Sequence, residues 1–364
     1  MIFVLAFFLA FALSLILVPL TIFIAPKLGL VDDPKKRSHP ALLHKKTVAR
    51  AGGLPIYLSV VFVSLIFVTL SKQVFGIFLG GLILVVVGLA DDKLDLPTPV
   101  KFLGQFLAAL AVVFSGVGIS FITNPLLVLD PSGFGIGNVI HLDTLRFSFN
   151  LLGTHSIIIL ADLFALFWIV WVINMVNFST GVDGQMPGIV LVTLFVIFAA
   201  SLRFYPADPH QLLVSQLSLI GAGATFGFLV FNFYPAKIFP GDSGSYFLGF
   251  LVAVFAILAG ARVGTAILVM AIPLLDGVFT VIRRIAAGSS PFSGDRKHLH
   301  HRLLELGWGQ RRIALFYTLV CAILGAIALT LPAFGKLFAG VVIATIILGG
   351  LLWLNSNLPQ KAQK

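Results

Sequence analysis

The sequence predicts an all-α polytopic integral membrane protein of about eleven transmembrane helices, N-terminus outside and C-terminus cytoplasmic, with a small non-cytoplasmic β-hairpin. Three observations predict it. Hydrophobic residues are 59% of the 364 and charged residues only 10%, with a mean hydropathy of +1.08, whereas soluble domains carry roughly a quarter charged residues. Apolar runs of about 20 residues, the length that crosses a bilayer as a helix, recur along the chain. Lysine and arginine are distributed unevenly: across eleven spans, one set of loops and tails holds nineteen and the other five, so the rich side is cytoplasmic. The net charge of +10 therefore sits mostly on one face, where topology signalling and attraction to anionic lipid account for most of it without nucleic acid.

The whole chain, 1–364, reads as a single transmembrane domain. Its first run, 2–24, lacks a basic leader and is too long for a signal peptide, so it is expected to be a retained span. Further spans are expected near 54–70, 74–90, 102–121, 156–176, 186–202, 212–231, 244–260, 264–282, 313–331 and 336–354. The cytoplasmic loops then fall near 25–53, 91–101, 177–185, 232–243 and 283–312. The long non-cytoplasmic loop near 122–150 carries "DPSGFG" and then the alternating "RFSFN", a hairpin signal. Cys321 is the one cysteine and lies in an apolar run, which excludes a disulfide framework and a thiolate metal site.

Four polar clusters, "ADDKLD", "NMVNFSTGVDG", "FPGDSGS" and "SPFSGDRKHLHHRL", all fall on the cytoplasmic side, and this points to a shared site. Asp91 and Asp92 are adjacent like charges, which repel unless a cation or proton intervenes. With oxygen ligands and no thiolate the suited cation is Mg²⁺, although solvation of a helix end also accommodates such a pair. Asp242 stands before a helix, as an N-cap does, and the same geometry favours phosphate. Asn174 and Asn177 share a helix face beside Asp183 in a glycine-broken loop, fit for a ligand or for bonds between helices. His298, His300 and His301 lie beside Arg296 and Lys297: weak as a zinc site, better as a set of donors for a diphosphate.

Together these stretches resemble the polyprenyl-phosphate N-acetylhexosamine-1-phosphate transferases (glycosyltransferase 4 type), from about residue 31 to 307. "VDDPKKR" and "HKKTVARAGGLP" match the opening segment, with His44, Arg50 and the Gly52–Gly53 pair in place; Thr47 and Ala49 stand where prolines are usual, and "SHPALL" looks inserted. "GLADDKLDLPTPVKFLGQ" matches the Asp-Asp motif with Lys101 and Gln105 at its spacing, and "FPGDSGSYFLG" the third carboxylate motif. "IPLLDGVFTVIRR" and "SPFSGDRKHLHHRLLELG" match the last loop in the form typical of the undecaprenyl-phosphate GlcNAc branch. One departure stands out: Thr180-Gly181-Val182-Asp183-Gly184 replaces the usual Asp-Gly-x-Asp-Gly.

The resemblance implies that a polyprenyl (undecaprenyl) phosphate attacks the β-phosphorus of a UDP-N-acetylhexosamine, giving a polyprenyl-diphospho-sugar and UMP. This step would initiate cell-envelope glycan synthesis. It implies a multi-pass protein of the bacterial plasma membrane with its site facing the cytoplasm, dependent on Mg²⁺ with Mn²⁺ as a substitute, and it leaves room for a homodimer. By the same resemblance Asp91 and Asp92 are catalytic, Asp242 and Asn177 hold the metal, and His44, Lys101, Asn174, Asp183, Arg296, His298, His300 and His301 bind substrate. Three alternatives remain: a muramoyl-pentapeptide-type transferase, a DDxxD prenyltransferase, and a transporter or lipid-binding protein in which the intramembrane Asp276 serves ion coupling. Against the transporter, no inverted repeat is visible and the polar clusters lie on one side rather than at the midplane.

Overall fold

The computed structural model describes residues 2–35, 44, 46–124, 139–150, 154–205, 207–208, 210–260, 262–290 and 297–357. Thirteen α-helices dominate them: α1 (Ile2–Ile24), α2 (Gly53–Phe67), α3 (Lys72–Leu94), α4 (Thr98–Phe114), α5 (Ile159–Phe178), α6 (Gln185–Phe204), α7 (His210–Asn232), α8 (Gly241–Leu258), α9 (Val263–Val269), α10 (Ala271–Ala286), α11 (Leu299–Glu305), α12 (Gln310–Thr330) and α13 (Ala333–Asn357). Eight of these, α1, α3, α5, α6, α7, α8, α12 and α13, are long and apolar enough to cross a membrane. The chain is a polytopic membrane protein. α2 and α4, at 15 and 17 residues, are apolar but shorter.

The stretch expected to span near 264–282 is built from two helices. α9 and α10 meet at a bend of 83° around Met270. Pro273, in the first turn of α10, has no N–H to donate to the carbonyl of Val269, so one continuous helix cannot pass through this point.

α8 forms the centre of the bundle. It is apolar on every side, and Leu248, Phe250, Leu251, Val252, Ala253, Val254 and Phe255 are all fully buried. Trp168 of α5 donates its indole N–H to the carbonyl of Ala253 at 3.1 Å, which satisfies a buried donor. Glycine permits the tightest approaches. A Cβ at Gly53 of α2 or at Gly88 of α3 would overlap the backbone of Ser243, so α2 and α3 both close on the N-terminal turn of α8. By contrast α13 is apolar and almost none of it is fully buried, as in a helix with lipid along one face.

At that same end lies a three-stranded sheet that the all-α reading did not contain. β1 (Val31–Asp32) pairs antiparallel with β2 (Val48–Arg50), and β2 pairs parallel with β7 (Ile238–Phe239), Arg50 standing opposite Phe239. Strands of two or three residues show no alternation for a sequence reading to find. Between α4 and α5 are two antiparallel pairs, β3 (Phe121–Thr123) with β4 (Val139–His141) and β5 (Arg146–Asn150) with β6 (Thr154–Ile158). The second pair runs past 150, beyond the bound expected for a hairpin, while "DPSGFG" lies outside the described residues.

Candidate active site

α3 continues through Leu94, so Asp91 and Asp92 sit in its last turn and not in a loop. Neighbours on a helix point about 100° apart, and the two carboxylates accordingly do different things. Asp92 faces α8: its Oδ1 accepts the N–H of Asp242 at 2.8 Å, and its Oδ2 accepts the N–H and the hydroxyl of Ser243 at 3.3 and 3.0 Å. Gly241 makes room for this with φ +65°, since a Cβ there would overlap the Asp92 carboxylate. Asp242 is therefore not the cap of α8. The first N–H groups of that helix are satisfied by Asp92 from another helix, which leaves the Asp242 side chain to bond Asn177 and approach Arg50 and Lys101.

Two cations tie the three carboxylates together. Arg50 reaches Asp92 Oδ1 through Nε at 2.8 Å and Asp242 Oδ2 through Nη2 at 3.5 Å. Lys101 reaches Asp91 Oδ1 at 2.8 Å and Asp242 Oδ2 at 4.0 Å. Burial works against the Arg50 charge, but Asp92 and Asp242 outweigh it and hold its pKa above the ordinary value. With every group ionised, three carboxylates and two cations leave one net negative charge. Asp91 Oδ1 also accepts the N–H of Leu96 at 2.7 Å. Its Oδ2 is buried without a donor, and the Asp242 carboxylate, an acceptor like itself, lies close to the Asp91 carboxylate.

That arrangement fits a cation. An acceptor buried without a donor is costly, and facing carboxylates are stable together when a cation or proton lies between them. Among the described residues no three His, Cys, Asp or Glu side chains converge as a self-contained metal cage. Mg²⁺ does not require one, because it is commonly held by one or two carboxylates plus substrate phosphates.

α5 brings the other polar residues. Asn177 donates its amide to Asp242 Oδ1 at 2.8 Å and to Ser245 Oγ at 2.7 Å, and so orients Asp242. One turn back, Asn174 donates to Gln105 Oε1 at 2.6 Å and to the carbonyl of Val170, a bond between α4 and α5. Of its two readings, the interhelical one is what these contacts express. Asp183 accepts the N–H of Ala236 at 2.9 Å, while its own N–H donates to Gln310 Oε1, so it ties together three chain segments. Burial pushes the Asp183 carboxyl up, against the Ala236 N–H and His44. Thr180 is exposed, and its hydroxyl donates to the carbonyl of Asn177. The departure from the family pattern thus lies outside the three-carboxylate centre.

The histidines form a separate packed group. Phe178, next to Asn177, lies 5.8 Å from the His298 ring, and His298 stacks on His300 at 5.5 Å. His300 fits beneath Gly181, where a Cβ would overlap its imidazole. Burial, then His301 and His298, lower the His300 pKa well below its ordinary value, so it is neutral at neutral pH. Of the three histidines offered as donors for a diphosphate, His300 is thus enclosed and uncharged. His298 Nδ1 lies 2.9 Å from Asp276 Oδ2, while Asp276 Oδ1 accepts the N–H of Leu299 at 2.9 Å. Asp276 thus anchors the start of α11 and orients His298. His44 sits apart, 4.0 Å from Asp32 and edge-on to Phe239. Arg296 lies outside the described residues.

The structure therefore brings Asp91, Asp92, Asp242, Asn177 and Lys101 into one centre and adds Arg50, Ser243 and Ser245 to it. Only Arg50 left a sequence signal, a lone charge between apolar residues and paired glycines in "VARAGG". The serines look like any polar helix start.

The chain matches the family model described as glycosyl transferase family 4 over residues 74–260, the stretch that carries all three carboxylates. It is 31% identical over 337 residues to the probable undecaprenyl-phosphate N-acetylglucosaminyl 1-phosphate transferase of Bacillus subtilis (strain 168), covering 91% of this chain and 85% of that one. It is 32% identical over 375 residues to the decaprenyl-phosphate N-acetylglucosaminephosphotransferase of Mycolicibacterium smegmatis (strain ATCC 700084 / mc(2)155), covering 94% and 86%. A phospho-N-acetylmuramoyl-pentapeptide-transferase of Oceanobacillus iheyensis matches at 27%, covering 85% and 92%. With its three-carboxylate centre inside the matched stretch and this likeness along nearly its whole length, the chain belongs to glycosyl transferase family 4.

Proposed function

We propose that this protein transfers N-acetylglucosamine 1-phosphate from a UDP-sugar to a polyprenyl phosphate in a bacterial plasma membrane, giving a polyprenyl-diphospho-sugar and UMP. The observation that carries the reading is the centre of Asp91, Asp92 and Asp242, bridged by Arg50 and Lys101 at one end of an apolar bundle. A lipid acceptor needs the bilayer and a nucleotide needs water, and this end of the bundle serves both. N-acetylglucosamine is preferred over the muramoyl-pentapeptide donor because the relatives at 31–32% identity bear its name and the muramoyl relative stands at 27%.

In the reaction an oxygen of the acceptor phosphate forms a bond to the β-phosphorus. The bond from that phosphorus to the bridging oxygen breaks, and UMP leaves with the oxygen. A phosphomonoester has its second pKa near 6, so the acceptor is already ionised and needs little general-base help. The greater difficulty is bringing one anion to another. Lys101 and Arg50 keep the carboxylate centre close to neutral, and Asn177 fixes the direction of Asp242. Mg²⁺, held by Asp242 with Asn177 and the Asp91 carboxylate beside it, would neutralise diphosphate charge. Asp92, fully engaged by α8 and Arg50, holds the centre together.

The proposed topology counts α2 and α4 as spans and α9–α10 as one broken span, which gives eleven, with the carboxylate end cytoplasmic as the Lys/Arg asymmetry indicates. Purified protein supplied with undecaprenyl phosphate, Mg²⁺ and a panel of UDP-sugars tests the reading. UMP should be released with UDP-N-acetylglucosamine and only with lipid present. Release with UDP-muramoyl-pentapeptide alone would move the protein to the other branch, and no release with any donor would overturn the proposal.

A further inference from the structure

A second charged cluster lies at the other end of the bundle. α6, α8 and α12 all begin beside the carboxylate centre or the Asp183 loop and run away from it for 20, 18 and 21 residues, about 27–32 Å. Arg203 is in the last turn of α6, Arg262 in the turn between α8 and α9, and Lys336 near the start of α13. The Arg262 guanidinium lies 3.6 Å from the centre of the Phe204 ring, next to Arg203. Lys336 donates to Thr265 Oγ1 at 2.9 Å, and the Thr265 N–H in turn bonds the Arg262 carbonyl. Arg203 donates to the carbonyl of Leu329 at 3.0 Å.

No carboxylate among the described residues answers these cations. Among the described residues none of the three forms an ion pair, and Asp208, whose N–H bonds the Phe204 carbonyl, is engaged with Gln211 and the N–H of His210. Arg262 Nε is buried without an acceptor. Burial and then the charge of Arg203 lower the Arg262 pKa, as happens when cations are gathered without a counter-ion. The loops at this end hold only five basic residues, and three of them meet here. Leu202, Phe204, Phe334 and Phe338 are exposed beside them, so the cluster borders an apolar surface.

We infer that Arg203, Arg262 and Lys336 bind a phosphate-type anion at the face opposite the carboxylate centre. Guanidinium groups match phosphate oxygens with two parallel donors, and a lysine adds a mobile point charge. The anion has two chemical sources, the headgroup phosphate of an anionic membrane lipid and free inorganic phosphate. The site does not depend on which donor sugar the protein uses.

The test is thermal unfolding of the purified full chain in a neutral detergent at constant ionic strength. It is titrated in separate arms with phosphatidylglycerol, phosphatidylcholine, inorganic phosphate and chloride. Wild-type protein should gain Tm with phosphatidylglycerol, inorganic phosphate or both, and not with phosphatidylcholine or chloride. Arg262→Gln and Lys336→Gln should each weaken the apparent affinity about tenfold, the loss expected for one charge-assisted contact. Arg262→Lys should retain part of it, and Lys72→Gln, outside the cluster, should change nothing. Should Arg262→Gln fail to fold, the exposed Arg203→Gln carries the same expectation. A shift with phosphatidylglycerol alone assigns the site to lipid, and one with phosphate alone to a soluble anion. No selective shift in the wild type, or an equal shift in the charge-removed variants, overturns the inference.

Discussion

Asp91 and Asp92 are chemically identical neighbours with different duties. Asp92 accepts the N–H groups that open α8 and pairs with Arg50, whereas Asp91 pairs with Lys101 and keeps one buried oxygen unpartnered. Asp242→Ala should therefore leave a folded protein and lower UMP release by at least about a hundredfold, the scale of losing a preorganised electrostatic group. Chelation by EDTA should do the same in the wild type, and full turnover under either condition would remove the metal assignment. Arg50→Lys tests the bridge. One ammonium cannot reach both Asp92 and Asp242 as Nε and Nη2 do, so kcat should fall at least about tenfold with Tm also lowered. An unchanged kcat would show that the bridge has no part in the reaction.

At the scale of elements, close approaches at glycines set the geometry. Gly241→Ala would place a side chain in left-handed backbone and against the Asp92 carboxylate. It should cost about 1–2 kcal/mol from the backbone alone, read as a lowered Tm, and should reduce activity by displacing Asp92. The helix α11 offers a pH test. His300 has a folded pKa well below its unfolded value near 6.5, so the unfolded state binds the extra proton first as pH falls. Its contribution to stability is full above pH ~6.5 and is lost below it, by at most about 1.4 kcal/mol per pH unit. Between pH 7.5 and 5.5 the wild-type Tm should drop, and His300→Gln should flatten that drop. A profile unchanged in the variant would place the pH sensitivity elsewhere.

For the molecule as a whole, the apolar exteriors of α1 and α13 and the fully buried α8 describe a bundle with lipid around it and a dry centre. The carboxylates lie at one end of that centre, and the Arg203–Arg262–Lys336 cluster at the other. In a Cys321→Ser background, Ser289→Cys should be labelled by a membrane-impermeant thiol reagent only from the cytoplasmic side, and Ala207→Cys only from outside. The reverse pattern would invert the protein and with it the proposed access of the nucleotide.

Residue chemistry and hydropathy run locally along the chain, and what depends on them was legible in order. The long apolar runs announced α1, α3, α5–α8, α12 and α13, because a spanning helix satisfies its own backbone and needs only length and apolarity. The carboxylates were legible too, since like charges at the end of an apolar run demand a reason. The sequence could not show who answers whom. Arg50 reaches Asp92 because β2 pairs in parallel with β7, just before Asp242, and strands of two or three residues carry no period to read. Asp92, not Asp242, caps α8 because Gly53, Gly88 and Gly241 let three segments close on one point. The neutrality of His300 depends on burial under Gly181, and the function of Asp276 on a histidine twenty-two residues away. Each of these is a contact between residues distant in sequence, and packing alone decides such contacts.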